Sequence, residues 1–260
     1  MIKISTQVEF RRRRDPGFCY LCGKAWKKGD LISADHVVPK KAIQPADRTE
    51  AFILRVHDQC HSPKKTWDER IVEVLKVLHG THRPEKRATK LNFVVFKERN
   101  TGEQLGAVQD FDFNRIILGW LIGFHAALYR EPLSHKAQWG YTLPWPTFTN
   151  PSTVDPIPPQ HVPIVRAILA NRKTRNLDSV FAWNKKLRYE CVWTNMQGRD
   201  TCLFALDLYS WSRLSSKTGQ PARSCVGFYH PTGGLPPGGS WSTRLAFPFK
   251  VQNPLDAFED

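Results

Sequence analysis

Long apolar runs are missing from this chain of 260 residues. The most apolar stretch, residues 116–129, lies between Arg115 and Arg130 and contains His125. It falls short of the roughly 20 residues that a bilayer demands, so a buried helix is expected there. The opening residues, Met-Ile-Lys-Ile-Ser-Thr-Gln, run into Arg11-Arg12-Arg13-Arg14 with no apolar core, so we expect no secretory leader and a soluble, cytoplasmic protein. A disulfide framework is absent too: of six cysteines, Cys191, Cys202 and Cys225 are scattered without paired spacing. Acidic residues are scarce, 24 against 38 Lys and Arg, for a formal charge of +14. The imbalance is local: residues 1–100 carry 22 basic and 12 acidic side chains, whereas residues 101–260 carry 16 and 12. Such a distribution points to a polyanionic partner approaching the first hundred residues. The arginine block is open to three readings, a disordered arm, a phosphate clamp or a solubilising tag.

The remaining cysteines are where the chemistry is. Cys19-Tyr-Leu-Cys22 and His57-Asp-Gln-Cys60 are two ligand pairs, each with two residues between its members. That spacing lets a tight turn bring both side chains to one ion, so Cys19, Cys22, His57 and Cys60 form a candidate closed zinc site. Between the pairs stands Asp35-His36-Val-Val-Pro39, and directly behind the second pair stands His61-Ser-Pro-Lys64. Asp35, His36 and His61 are a surplus that a purely structural zinc knuckle does not need. His79 and His82 also have ligand-like spacing, but a helix ending near Gly80 accounts for them.

Taken in order, Cys-x-x-Cys, Asp-His-x-x-Pro and ligand-x-x-Cys-His with a following lysine resemble the HNH endonuclease family over about residues 15–80. The resemblance implies an α+β protein with an N-terminal ββα-metal core framed by zinc. It implies that His36 is the general base, that Asp35 and His61 hold a catalytic divalent ion such as Mg²⁺, and that Lys64 or Lys65 adds charge near the phosphate. The substrate would be nucleic acid, double-stranded DNA first, with Arg11, Arg12, Arg13 and Arg14 as further contacts. The family's middle Asn or His, which mostly orients the catalytic histidine, would fall at Ala51 or Phe52. Between Lys40 and His57 there is no Asn or His, and Gln44 is the only amide. A backbone carbonyl or Asp47 could orient His36 instead, or the rate is reduced. The rival reading is a zinc-stapled nucleic-acid-binding module without catalysis.

Periodicity gives a coarse map. A knuckle turn is expected over 18–22, strands over 31–35 and 52–56 joined by a polar loop, and a helix over 62–79 with Pro63 in its first turn. Trp67, Ile71, Val74, Leu75 and Leu78 would form that helix's apolar face. A strand is expected over 91–97, a turn over 100–102 and a central helix over 111–129. Seven prolines between 141 and 163 mark a linker. A basic helix over 162–177 and strands over 187–194, 201–211 and 224–229 follow, with turns at Gly198, Gly219 and 232–234. The domain reading is therefore a nuclease domain over 1–90, a strand and central helix over 91–140, a linker over 141–163 and a β-rich accessory domain over 164–260. Trp183, Tyr189, Trp193, Phe204, Tyr209, Trp211, Phe228 and Tyr229 are expected as sheet core ahead of base-stacking residues.

Overall fold

The structure, a computed structural model, describes residues 1–78, 92–97, 104–109, 113–133, 137–142, 162–196, 198–208 and 225–231. Along the chain these form strand β1 (Lys3–Ile4), helix α1 (Gln7–Arg13), strands β2 (Ile32–His36) and β3 (Ile53–His57), and helix α2 (Asp58–Leu78). Then come β4 (Asn92–Lys97), β5 (Gln104–Gln109), α3 (Phe113–Tyr129), β6 (Gln138–Thr142), α4 (Val162–Lys173), β7 (Asp178–Ala182), β8 (Leu187–Met196), β9 (Arg199–Leu208) and β10 (Cys225–His230). The protein is mixed α and β, with most of its strands in one sheet. No helix of the described residues is long and apolar enough to cross a membrane.

The arginine block has a defined place. Thr6 caps α1 and accepts from the Glu9 amide, while the Glu9 carboxylate reaches back to the Thr6 N–H, the reciprocal bonding of a capping box. Phe10 on this helix is buried, which stabilises by roughly 1.5–3 kcal/mol. Arg13 donates to the carbonyls of Ala127 and Leu128 at the C-terminus of α3, where orphan carbonyls and the helix dipole favour a cation. Arg13 is thereby a structural cap, and Arg11, Arg12 and Arg14 stay exposed.

Strands β2 and β3 pair antiparallel, from Ile32 opposite His57 to His36 opposite Ile53. The connection between them is less polar than expected, since Val37, Val38, Ala42, Ile43 and Phe52 are all buried. Helix α2 begins four residues before Ser62, directly after His57. Pro63 thus lies beyond the first turn, because the chain must pass from strand to helix at once for His57 and Cys60 to approach each other. Of the expected apolar face of α2, Ile71 is buried and Trp67 half-buried, while the side chains of Val74, Leu75 and Leu78 lie outside the described residues.

The large sheet has the order β1-β7-β8-β9-β10-β6, with β1 parallel to β7 and the other pairs antiparallel. It draws strands from the N-terminus, from residues 138–142 and from the C-terminal region, so it runs across the boundaries expected from sequence. Tyr141 and Thr142 belong to β6 and Val162 and Pro163 to α4, which shortens the expected 141–163 linker at both ends. The basic helix also stops earlier than expected, at Lys173, and β7 follows it. Met196 pairs with Arg199 around a two-residue connection ending in Gly198 (φ 77°), a tight hairpin that a left-handed glycine permits. The expected turns at 100–102, Gly219 and 232–234, and the aromatics Tyr209 and Trp211, lie outside the described residues.

Helix α3 lies between the two halves. From Ile116 to Leu128 nearly all its side chains are buried. Phe124 stacks on Phe52 (5.5 Å between centroids) and on Tyr189 (4.4 Å), and Tyr189 continues to Phe204 (6.0 Å). One aromatic ladder therefore ties the β2–β3–α2 unit to the sheet, with each pair inside the 4.5–7 Å range of favourable ring contacts or just short of it. Trp183, Tyr189, Phe204 and Tyr229 are fully buried and Trp193 and Phe228 half-buried, so the aromatics of this region are core and not a stacking platform for bases. At Gly123 an added Cβ would stand 2.4 Å from Val37 Cγ1; the missing side chain lets α3 press against the residue that follows His36.

Candidate functional site

The Cys-x-x-Cys turn is shaped by its backbone. Cys19 N–H donates to the Lys24 carbonyl (2.9 Å), Gly23 N–H donates to the Cys19 carbonyl (2.8 Å), and Gly23 is left-handed at φ 72°. The turn presents Cys19 and Cys22 to His57, at the end of β3, and Cys60, in the first turn of α2. Their ligand atoms all lie within 4.8 Å of one another. His57 Nδ1 is 3.3 Å from Cys22 Sγ, close to the edge of about 3.3–3.8 Å that a tetrahedral zinc shell requires. On the far side of the ring, Nε2 lies 3.1 Å from Asp30 Oδ2. A carboxylate there holds the proton on Nε2 and leaves Nδ1 free to ligate. The His57 amide also donates to Cys19 Sγ at 3.3 Å. Burial first, and then Cys19 and Cys22 beside it, push the Cys60 thiol up to about 12. Three thiols this close ionise together only around a cation. The group is a Cys₃His arrangement at metal-binding distance, of the kind that holds a structural metal such as zinc.

A second cluster is built from neighbouring residues of the same unit. Asp35 is buried on β2, with 2 % of its side chain exposed, and its carboxylate meets three side chains. Tyr20, the residue after Cys19, donates its hydroxyl to Oδ2. Burial and then the Asp35 charge hold that phenol protonated far above the ordinary range, so it stays a donor. His61 Nε2 is 3.3 Å from Oδ1, and Lys64 Nζ is 3.3 Å from Oδ2. Lys64 also donates to the His36 carbonyl (2.9 Å) and pairs with Asp68 (2.5 Å), one helical turn further on. Burial pushes Asp68 up to about 6 against the pull of Lys64. Lys64, expected to face a phosphate, instead faces two carboxylates and is 10 % exposed; Lys65 beside it is exposed.

Successive residues of a strand point to opposite faces, so His36 turns away from this cluster. It is half-buried, and its imidazole stacks on Trp183 with centroids 5.8 Å apart and planes 22° apart. Burial leads the causes that lower its pKa, with Lys40, Lys64 and His61 adding to it and Asp35 opposing. Among the described residues the His36 ring makes no hydrogen bond. Asp47, considered from sequence as an orienting group, accepts instead from Asn184 Nδ2 (3.2 Å).

Trp183 is the residue at this site that sequence reasoning missed, since it was expected in the sheet core or, less so, stacked on a base. It begins the turn between β7 and β8, where Trp183, Asn184 and Lys185 all have positive φ (57°, 53° and 60°). Left-handed backbone costs roughly 1–2 kcal/mol per non-glycine residue, less for asparagine. The visible signal was the Asn-Lys-Lys stretch after a short apolar run, which marks a turn without saying what the turn touches. Tyr20 was equally hidden, because its neighbours Cys19 and Cys22 already explained the segment.

No protein-family model, no curated protein and no solved structure matches this chain.

Proposed function

We propose that this chain is a metal-dependent nuclease of the HNH type that hydrolyses phosphodiester bonds in nucleic acid, with duplex DNA as its substrate. The observation that carries the reading is the division of labour along one strand step. Asp35 is buried towards His61 on α2, and the next residue, His36, faces the other way with a basicity lowered by burial. A histidine neutral at pH 7 can take a proton from an attacking water, which is the task of a general base. Cys19, Cys22, His57 and Cys60 hold a structural zinc ion, supported by the soft donor set and by the carboxylate behind His57.

Asp35 and His61 supply an oxygen and a nitrogen donor that suit Mg²⁺ or another hard divalent ion, and Tyr20 and Lys64 fix the carboxylate's orientation. Such an ion, when bound, stabilises charge developing on the phosphate. Lys65, Arg11, Arg12 and Arg14 are exposed cations for phosphate contacts.

One observation favours the rival reading, a zinc-stapled binding module without catalysis. The Lys64 ammonium already lies on both Asp35 and Asp68, where a divalent ion would have to compete with it. Cleavage of supercoiled plasmid by purified protein with Mg²⁺ or Mn²⁺ separates the two. Under the nuclease reading, His36→Ala loses roughly 10²–10⁴-fold in rate while keeping its metal, fold and DNA affinity. Equal rates for the wild type and His36→Ala would leave the binding module standing.

A further inference from the structure

The loop that lacks an Asn or His near Ala51 is occupied in another way. Glu50 and Asp47 hold the turn that carries Trp183. The Glu50 carbonyl accepts from the Trp183 amide (3.4 Å), the Glu50 carboxylate from the Asn184 amide (2.9 Å), and Asp47 from the Asn184 side chain (3.2 Å). Lys186 N–H closes the turn onto the Trp183 carbonyl (2.9 Å). A run of three left-handed residues persists only where its surroundings over-determine it, and such sites cluster at functional positions. Here the surroundings are the segment just before β3, and the side chain delivered is the one against His36.

We propose that Trp183 is the positioning residue for His36, its indole face fixing the plane of the imidazole from the β7–β8 turn. The proposal rests on the nuclease reading above and deepens it. The indole is fully buried, so its own plane is held by the core, and the ring separation lies within the range of aromatic stacking. A stacked face restrains the tilt of an imidazole yet leaves both ring nitrogens unbonded. That suits a base whose nitrogen must meet a water and then release its proton. The same indole covers one face of the imidazole, and the nitrogen lone pair, which lies in the ring plane, stays clear of it.

The test compares Trp183→Phe and Trp183→Leu in the full chain with its metal bound, measuring kcat and KM for plasmid cleavage and the NMR shifts of the His36 ring protons. Trp183→Leu keeps an apolar side chain but removes the ring. It is expected to lower kcat by roughly 10–10²-fold, the cost of an ångström-scale misplacement, with KM and metal content unchanged and the His36 signals displaced by loss of the ring current. Trp183→Phe, which keeps a face, should retain most of kcat. Wild-type kcat in Trp183→Leu, with His36→Ala inactive, overturns the positioning role and leaves the nuclease reading intact. Absence of cleavage by the wild type as well overturns both. If Trp183→Leu does not fold, Glu50→Ala, which removes the acceptor of the Asn184 amide, should lower kcat and shift the same His36 signals. A folded Glu50→Ala with displaced signals and wild-type kcat would equally overturn the role.

Discussion

The Cys₃His group, on the knuckle turn, β3 and α2, and the Asp35–His36–His61 group, on β2 and α2, are neighbours that are assembled differently. The first takes all four donors from two short sequence pairs, with Asp30 behind His57 and Trp26 against its ring. The second draws on Tyr20 from the knuckle, Lys64 and Asp68 from α2, and Trp183 from a turn roughly 150 residues further along the chain. A closed soft-ligand site can be encoded by spacing because a single ion gathers its ligands. An open site with carboxylate and histidine must be held by its neighbours, since a buried carboxylate without donors is costly. A metal held by the first group would tie that region's folding to the ion, whereas the second group depends on the rest of the fold.

The largest effect should come from removing a ligand of the closed site. Cys60→Ser is expected to lose the metal and the folded state of the β2–β3–α2 unit, since structural zinc contributes on the order of 10 kcal/mol to folding. Metal content by mass spectrometry together with thermal melting checks this, and a stable variant with undiminished metal would break the distinction. Gly123→Ala attacks the other dependence. Its Cβ would stand 2.4 Å from Val37, next to His36, so melting should fall by an amount equivalent to about 1–3 kcal/mol while the metal is retained.

Asp68 sharpens the contrast through pH. Its carboxyl is raised from an ordinary value near 3.8 to about 6 in the folded state, chiefly by burial. The folded protein therefore holds this proton where the unfolded chain has released it, and stability falls as pH rises from about 4 to 6. Asp68→Asn removes that loss, so the variant should gain on the wild type by roughly 1–3 kcal/mol across this window, measured by denaturant unfolding without added divalent ions. A parallel pH dependence in the two proteins would refute it. The smallest effect concerns the arginine block. Replacing Arg11, Arg12 and Arg14 together should leave melting nearly unchanged and flatten the salt dependence of DNA affinity by a log–log slope of up to about 3. Arg13→Ala should do the reverse, because its guanidinium caps α3. An unaltered slope in the triple variant would show that these cations do not meet phosphates.

Much of the β2–β3–α2 region was legible because its signals are local. The two strand segments, the knuckle turn and the ligand pairs follow from turn chemistry and spacing within a few dozen residues, whereas the register of β2 against β3 emerges only in the folded chain. The start of α2 was not legible: Pro63 marks a preferred first turn, but the need to bring Cys60 beside His57 moved the helix start to Asp58. β1 and β6 were missed because two- and five-residue strands at the edge of a sheet carry too little periodicity to stand out.

Short-range spacing and the alternation of a strand were enough to specify the four-ligand cluster and the adjacent Asp35–His36 step. What faces each of them was set by long-range packing. That Arg13 closes a helix and that Trp183 lies against His36 depend on how α3 and the sheet pack onto the β2–β3–α2 unit. Those contacts join residues far apart in the chain, and no local pattern of side chains records a partner chosen by close packing.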